Sequence, residues 1–293
     1  MAEIVVGVDG SEHGAAALRW AAREAGLHGH DLVAVLVWDL FNQHHADGSR
    51  RFDPDYHEGD ADAALAAAVD AALGAEAASR VVRRAVCDLP APGLLAAAHG
   101  ADLLVVGARG LGGFRGLLLG SVSQQCLHHA EVPIAIVRGD RDDGPHEGTR
   151  ERVVVGVDGS DQSMAALRWA LAEGAVRKAV VQVVHAWTAP MIYGPVSGAS
   201  GSDVGVIEGG ARRMVDDMVD RAVEGASPVD VERTAVPGGP ASSLVDAADD
   251  ADLVVVGRRG LGGFGRLLLG SVSEHVARHA GCPVVVIPTG DEG

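Results

Sequence analysis

The chain has 293 residues, 47% hydrophobic but only 3% aromatic, so Ala, Val and Leu must build its cores, and its length suits about two domains. Its formal net charge of −16 excludes the basic patches that a nucleic-acid backbone or an acidic membrane surface requires. It holds one lysine, Lys178, and three widely spaced cysteines, Cys87, Cys126 and Cys282, which sets aside a lysine-held phosphate in the first half, a disulfide framework and a zinc site.

In chain order, IVVGVD at 4–9 is an apolar run too short for a helix and reads as a buried strand. A helix follows at about 12–27, capped by Ser11, with Leu18, Ala21, Ala22 and Ala25 on one stripe. Next come a strand at about 32–38, a polar loop at 39–57, an Ala-rich helix at 58–79, a strand at about 81–86 and a helix at about 91–99. A strand at 102–106 enters a glycine-dense segment, followed by a helix at about 121–129 and a strand at 133–137. His44, His45, Asp47 and His57 fall in the polar loop, have no counterpart later in the chain, and read as surface residues; the cysteines read as small buried side chains. No basic stretch precedes an apolar one at the start, and no apolar run approaches the ~20 residues of a membrane span, so a soluble cytoplasmic protein is expected.

The second half repeats the first. VVGVDGS at 5–11 returns at 154–160, ALRWA at 17–21 returns at 166–170, and ADLLVVG at 101–107 returns as ADLVVVG at 251–257. GARGLGGFRGLLLGSVS at 107–123 returns as GRRGLGGFGRLLLGSVS at 257–273, identical at 14 of 17 positions. A period near 150 residues means two copies of one domain, expected at 1–138 and 152–290 with a charged linker at 139–151. Strands alternating with helices predict an α/β fold: two tandem, doubly wound, five-stranded parallel sheets, Rossmann-like, in the order 3-2-1-4-5. Ligands of such sheets bind outside the carboxyl ends at the switch point between strands 1 and 4, where Asp9 and the glycine segment converge.

The glycine segment has the spacing G-x-x-G-x(9)-G-S: Gly107, Gly110, Gly120, Ser121, then Gly257, Gly260, Gly270, Ser271. Gly107 and Gly110 are expected to take positive φ and let the backbone approach a ligand. Gly120, Ser121 and Val122 open a helix, where amides without intrahelical partners make a phosphate seat. The Walker motif is absent, since no Gly-Lys pair exists. The single G-x-G-x-x-G match, Gly260-Gly262-Gly265, follows the wrong strand and is treated as accidental. For Asp9 and Asp158 two readings stand side by side: acceptors for a nucleoside, or local Asp-Gly turn chemistry.

With these motifs the chain resembles a tandem universal stress protein of the ATP-binding type. The resemblance implies one ATP per domain, with Mg²⁺ as a candidate companion. It places Gly7, Val8 and Asp9, and Gly156, Val157 and Asp158, on the nucleoside side, and brings Val37 and Ala186 to the adenine by their backbones. It assigns Gly107, Ala108, Arg109, Gly110, Leu111, Gly112 and Gly113, and Gly257, Arg258, Arg259, Gly260, Leu261, Gly262 and Gly263, to ribose and phosphate. The triphosphate falls to Gly120, Ser121, Val122 and Ser123, and to Gly270, Ser271, Val272 and Ser273. It also implies pairing through the last strand of each domain, within or between chains. No repeated carboxylate pair, triad or metal cluster is visible, so no catalytic or metal-ligating residue is assigned. The expected role is a nucleotide-dependent regulator of stress or dormancy responses with an unidentified protein partner. A slow ATPase or nucleotide-processing enzyme, and a scaffold with empty sites, stand as alternatives.

Overall fold

The computed structural model describes residues 2–49, 51–111, 118–139, 150–188, 201–261 and 268–288, with backbone alone at 201–203. The chain divides into two compact units, Met1–Gly144 and Pro145–Gly293. In the first, β1 (Glu3–Gly7), α1 (Glu12–His28), β2 (Asp31–Trp38), α2 (Glu58–Leu73), α3 (Ala75–Ala78), β3 (Val82–Cys87), α4 (Pro90–Ala97), β4 (Leu103–Gly107), α5 (Ser121–His129) and β5 (Ile134–Val137) follow one another. The second unit holds β6 (Arg152–Gly156), α6 (Asp161–Arg177), β7 (Val180–Trp187), α7 (Gly201–Val223), β8 (Asp230–Pro237), α8 (Pro240–Ala247), β9 (Leu253–Gly257), α9 (Ser271–His279) and β10 (Val284–Ile287).

The strand order is β3-β2-β1-β4-β5 in the first unit and β8-β7-β6-β9-β10 in the second, which is the expected 3-2-1-4-5. The paired strands are parallel, and the copies share their register: Ile4 faces Leu103 as Val153 faces Leu253. The strands are near-continuous Val, Ile and Leu because both faces are covered; Ile4, Val5, Val33, Val35, Leu104 and Val105 are fully or almost fully buried. In the first unit α1 packs beside α2 and α4 beside α5.

Serine caps α1 and α6: Ser11 Oγ accepts from the Gly14 amide at 3.0 Å, and Ser160 Oγ from the Ser163 amide at 3.1 Å. The helices after the glycine segments differ. Their N-caps are Gly120 and Gly270, neither of which supplies a side-chain cap. Two expectations need correction. The 58–79 helix is broken at Gly74, whose φ of 76° ends α2 before α3 begins. Cys87 is exposed at the end of an edge strand, whereas Cys126 and Cys282 are buried, and burial pushes the Cys126 thiol up to about 12. No described helix is long and apolar enough to cross a membrane.

Candidate functional site

The carboxylate that ends the first strand of each unit fastens two loops together. Asp9 Oδ1 accepts from the Ser11 amide (3.0 Å) and hydroxyl (2.6 Å), and Asp9 Oδ2 accepts from the Leu111 amide (3.1 Å), 102 positions away. Asp158 repeats this with the Ser160 amide (3.0 Å), the Ser160 hydroxyl (2.6 Å) and the Leu261 amide (2.7 Å). Burial pushes the Asp158 carboxyl up, yet donors on Ser160, Leu261 and Ser163 outweigh that penalty and hold it below the ordinary value. The local turn reading of these aspartates therefore holds, and the same carboxylates pin the glycine loops.

The glycines are small for a different reason from the one expected. Neither Gly107 nor Gly110 is among the positive-φ glycines. A Cβ on Gly107 would stand 2.7 Å from the His13 carbonyl oxygen, and one on Gly110 would stand 2.5 Å from Asp9 Oδ2. Their missing side chains let α1 and Asp9 close onto the loop. Gly120 also departs from expectation: its amide donates to Ala108 O at 2.7 Å, as Gly270 does to Arg258 O at 2.8 Å. The seat is therefore one residue further on. No protein group among the described residues accepts from the amides of Ser121, Val122 or Ser123.

Above this seat the first unit opens a cavity of about 420 Å³. Of the expected residues, Gly7, Val8, Asp9, Val37, Gly107, Arg109, Gly110, Leu111, Gly120, Ser121, Val122 and Ser123 line it. Ala108 does not; it is fully buried, its amide donating to Val137 O and its carbonyl accepting from Gly120. Ser123 contributes no free hydroxyl, because that group donates to Gly107 O at 2.7 Å, as Ser273 does to Gly257 O at 2.6 Å. The Val37 carbonyl already accepts from Asn42 Nδ2 at 3.0 Å. Gly112, Gly113, Gly262 and Gly263 lie outside the described residues.

Sequence reasoning missed several wall residues: Gly14, Val35, Asn42, His44, Pro90, Leu94 and Val106. Val35 was legible, since alternation along β2 puts it on the same face as Val37. His44 was not, and its reading as a surface residue is overturned: it is 7% exposed. Tyr56 holds it, donating through its hydroxyl to His44 O (2.5 Å) and accepting from the His44 amide (3.2 Å). His57 instead caps α2 through a reciprocal pair with Asp60.

In the second unit Gly156, Val157 and Asp158 end β6 and its following turn as Gly7, Val8 and Asp9 do β1, and Val157 donates to Val184 O as Val8 does to Val35 O. Ala186 occupies the Val37 position, and its neighbour His185 hydrogen-bonds Val157 O at 2.9 Å. Gly257, Arg259, Gly260, Leu261, Ser271 and Val272 take the places of their first-unit counterparts, while Arg258 puts a buried arginine where the first unit has Ala108.

The sequence repeat and the fold agree with what similar proteins show. The model of the universal stress protein family matches residues 1–138 and again 149–288. The chain belongs to the universal stress protein family. It is 34% identical over 288 residues to the universal stress protein Rv2623 of Mycobacterium tuberculosis, covering 97% of this chain and 95% of that one. A universal stress protein of Mycolicibacterium smegmatis is 33% identical over 303 residues, covering 97% and 96%. The fold matches a crystal structure of a universal stress protein from Archaeoglobus fulgidus with a TM-score of 0.63 at 21% identity, over 98% of both chains. This universal stress protein thus carries the family's domain twice, and its two glycine loops are tied down by the same aspartate.

One contact separates the copies within this family member. Arg109 Nε lies 3.0 Å from His13 Nε2, whereas Gln162, at the His13 position, accepts from the Arg259 main-chain amide at 2.8 Å.

Proposed function

We propose that this chain binds ATP, one molecule per unit, and acts as a nucleotide-dependent regulator rather than a catalyst. The observation that carries the reading is the cavity of the first unit, apolar at Val8, Val35, Val37 and Leu94 and ending at uncapped amides of α5. A flat base suits the first part, and an anionic tail suits helix amides at the positive end of a dipole. No lysine is required. Mg²⁺ would arrive with the phosphates, because Asp9 and Asp158 already accept from three donors each. The loaded form would be the one a partner protein reads during stress or dormancy, with hydrolysis slow or absent.

Ser121 and Ser271 offer a cleaner test than the glycines, whose substitution disturbs packing. Each is the first residue of its helix, and the residue before it is extended, Gly120 at φ −76°, ψ 161° and Gly270 at φ −77°, ψ 149°. Proline tolerates both conditions, so Ser121→Pro and Ser271→Pro remove an amide hydrogen and a hydroxyl while the helix stays. Titration calorimetry with ATP should show each single variant losing one site by roughly tenfold or more, as expected for about 1.5–3 kcal/mol of charge-assisted bonding. A double variant that binds ATP as tightly as the parent chain removes the reading. Sustained phosphate release abolished by Asp9→Ala with Asp158→Ala would favour an ATPase instead.

A further inference from the structure

The helix that begins at the phosphate seat ends differently in the two units. α5 reads SVSQQCLHH and α9 reads SVSEHVARH, so Gln125 and His129 stand where α9 has His275 and His279. Residues four apart on a helix share a face, one turn above the other. In α9 that face carries two exposed imidazoles, with ring centroids 4.1 Å apart and planes 23° from parallel. His279 Nδ1 lies 2.9 Å from the His275 carbonyl oxygen. A carbonyl oxygen only accepts, so Nδ1 carries the proton, and Nε2 of the neutral ring keeps its lone pair. Metal-binding histidines are held in this way, one ring nitrogen donating to a carbonyl and the other left to ligate. The two charged side chains of α9 answer each other, Arg278 Nη2 donating to Glu274 Oε1 at 2.7 Å, so the ring pair meets no unbalanced cation on its own helix.

We propose that His275 and His279 form a two-imidazole chelate for a divalent transition metal, Zn²⁺, Ni²⁺ or Cu²⁺, on the last turns of α9. Imidazole suits these ions and not Mg²⁺ or Ca²⁺, which take oxygen ligands. Metal–nitrogen bonds of about 2.0–2.1 Å set the two ligating nitrogens roughly 3 Å apart, and exposed rings with close centroids come to that spacing by turning about their own side-chain bonds. The last carbonyls of a helix lack intrahelical partners and give its end a partial negative charge, which favours a cation there. Water completes the coordination. The cysteine spacing that sets aside a thiolate zinc site has no bearing on imidazoles. The H-x-x-x-H spacing also escapes a comparison of the copies, because α5 has only the second of the two histidines. The pair stands at the opposite end of α9 from Ser271 and does not depend on ATP binding.

The test uses the full chain without nucleotide at about pH 7.5, where an ordinary imidazole is neutral, with Ni²⁺ as the probe. Amide exchange is followed in the peptide that holds α9 while Ni²⁺ is raised. A metal held across one turn should slow exchange at the end of that helix, and the midpoint of the slowing gives the affinity of this site whatever other histidines of the chain bind. His275→Gln and His279→Gln should each weaken that midpoint roughly tenfold or more, because a chelate becomes a single ligand and loses the high effective concentration of its second arm. Glutamine is what α5 itself carries at the first position, Gln125, and exchange measured without metal checks that both variant helices are kept. Mg²⁺ over the same range should leave α9 unchanged. No slowing in the parent chain overturns the site, as does the same midpoint in the parent and either variant, or an equal response to Mg²⁺.

Discussion

The two units of this chain hold the same aspartate clasp in differently shaped surroundings. Asp9 and Asp158 each accept from a serine amide, a serine hydroxyl and a loop amide across the sheet. Around that clasp the neighbours change: Gly14 against Ser163 and His13 against Gln162. What is kept is the bond set that fixes the glycine loop. What varies is the packing that presses on it. The difference shows that a duplicated motif preserves a hydrogen-bond geometry more strictly than the contacts that support it.

The glycines allow this comparison to be broken in opposite directions. At Gly107 a Cβ would meet the His13 backbone at 2.7 Å and 2.8 Å, whereas at Gly257 the nearest approach to Gln162 is 3.1 Å. Backbone does not move aside cheaply, so Gly107→Ala should destabilise its unit by roughly 2–3 kcal/mol and Gly257→Ala by about 1 kcal/mol. At the next glycine the order reverses. A Cβ on Gly110 would lie 2.5 Å from Asp9 Oδ2, and one on Gly260 would lie closer still to Asp158 Oδ2. Gly260→Ala should therefore cost more than Gly110→Ala. Amide exchange read from peptides of each unit separates the two. Equal protection losses within either pair would show that the clasp relaxes freely.

Much of the fold was legible because parallel strands buried on both faces read as unbroken Val and Leu runs, and because each run appears twice. The helix break at Gly74 was not, since a glycine in an Ala-rich stretch costs only about 1 kcal/mol and leaves the pattern intact. At the site, the chain announced that Gly107 and Gly110 must be small, but not which atoms need the space. Those atoms belong to His13 and Asp9, about a hundred residues earlier. The wall formed by Asn42 and His44 carried no signal at all. Those residues sit in a loop with no periodicity and no second copy, and it is Tyr56, twelve positions on from His44, that draws it inward.

The clasp can be sharpened by acid. The Asp158 carboxyl is held below its ordinary value, so its donors stabilise the fold above about pH 4, and that contribution is lost as pH falls through the lowered value. Asp158→Asn keeps the shape and removes the charge. It should cost about 1–2 kcal/mol at pH 7 and less at pH 3, because the parent carboxyl takes up its own proton as pH falls through its lowered value. Urea unfolding of the second unit at both values checks this. An Asp158→Asn deficit that persists undiminished at the lower pH would mean the side chain acts by shape alone.

The smallest contrast lies at the far end of the first helices. Gly29 ends α1 with φ 66°, while Lys178 ends α6 with φ 56°, the only described residue other than glycine in that region. For a residue with a Cβ this conformation brings the side chain against the following carbonyl, a strain of about 1 kcal/mol. The strain persists because the turn is fixed from outside: Arg150 Nε donates to Lys178 O at 2.8 Å and the Ala179 amide returns to Gly174 O at 2.9 Å. Both bonds use main chain or a partner's side chain, so neither depends on the lysine head. Lys178→Gly should then gain roughly 0.5–1 kcal/mol, reduced by the extra freedom glycine has when unfolded, and appear as a higher melting temperature of the second unit. A lowered melting temperature would mean that the exposed lysine stem contributes more than the strain it imposes.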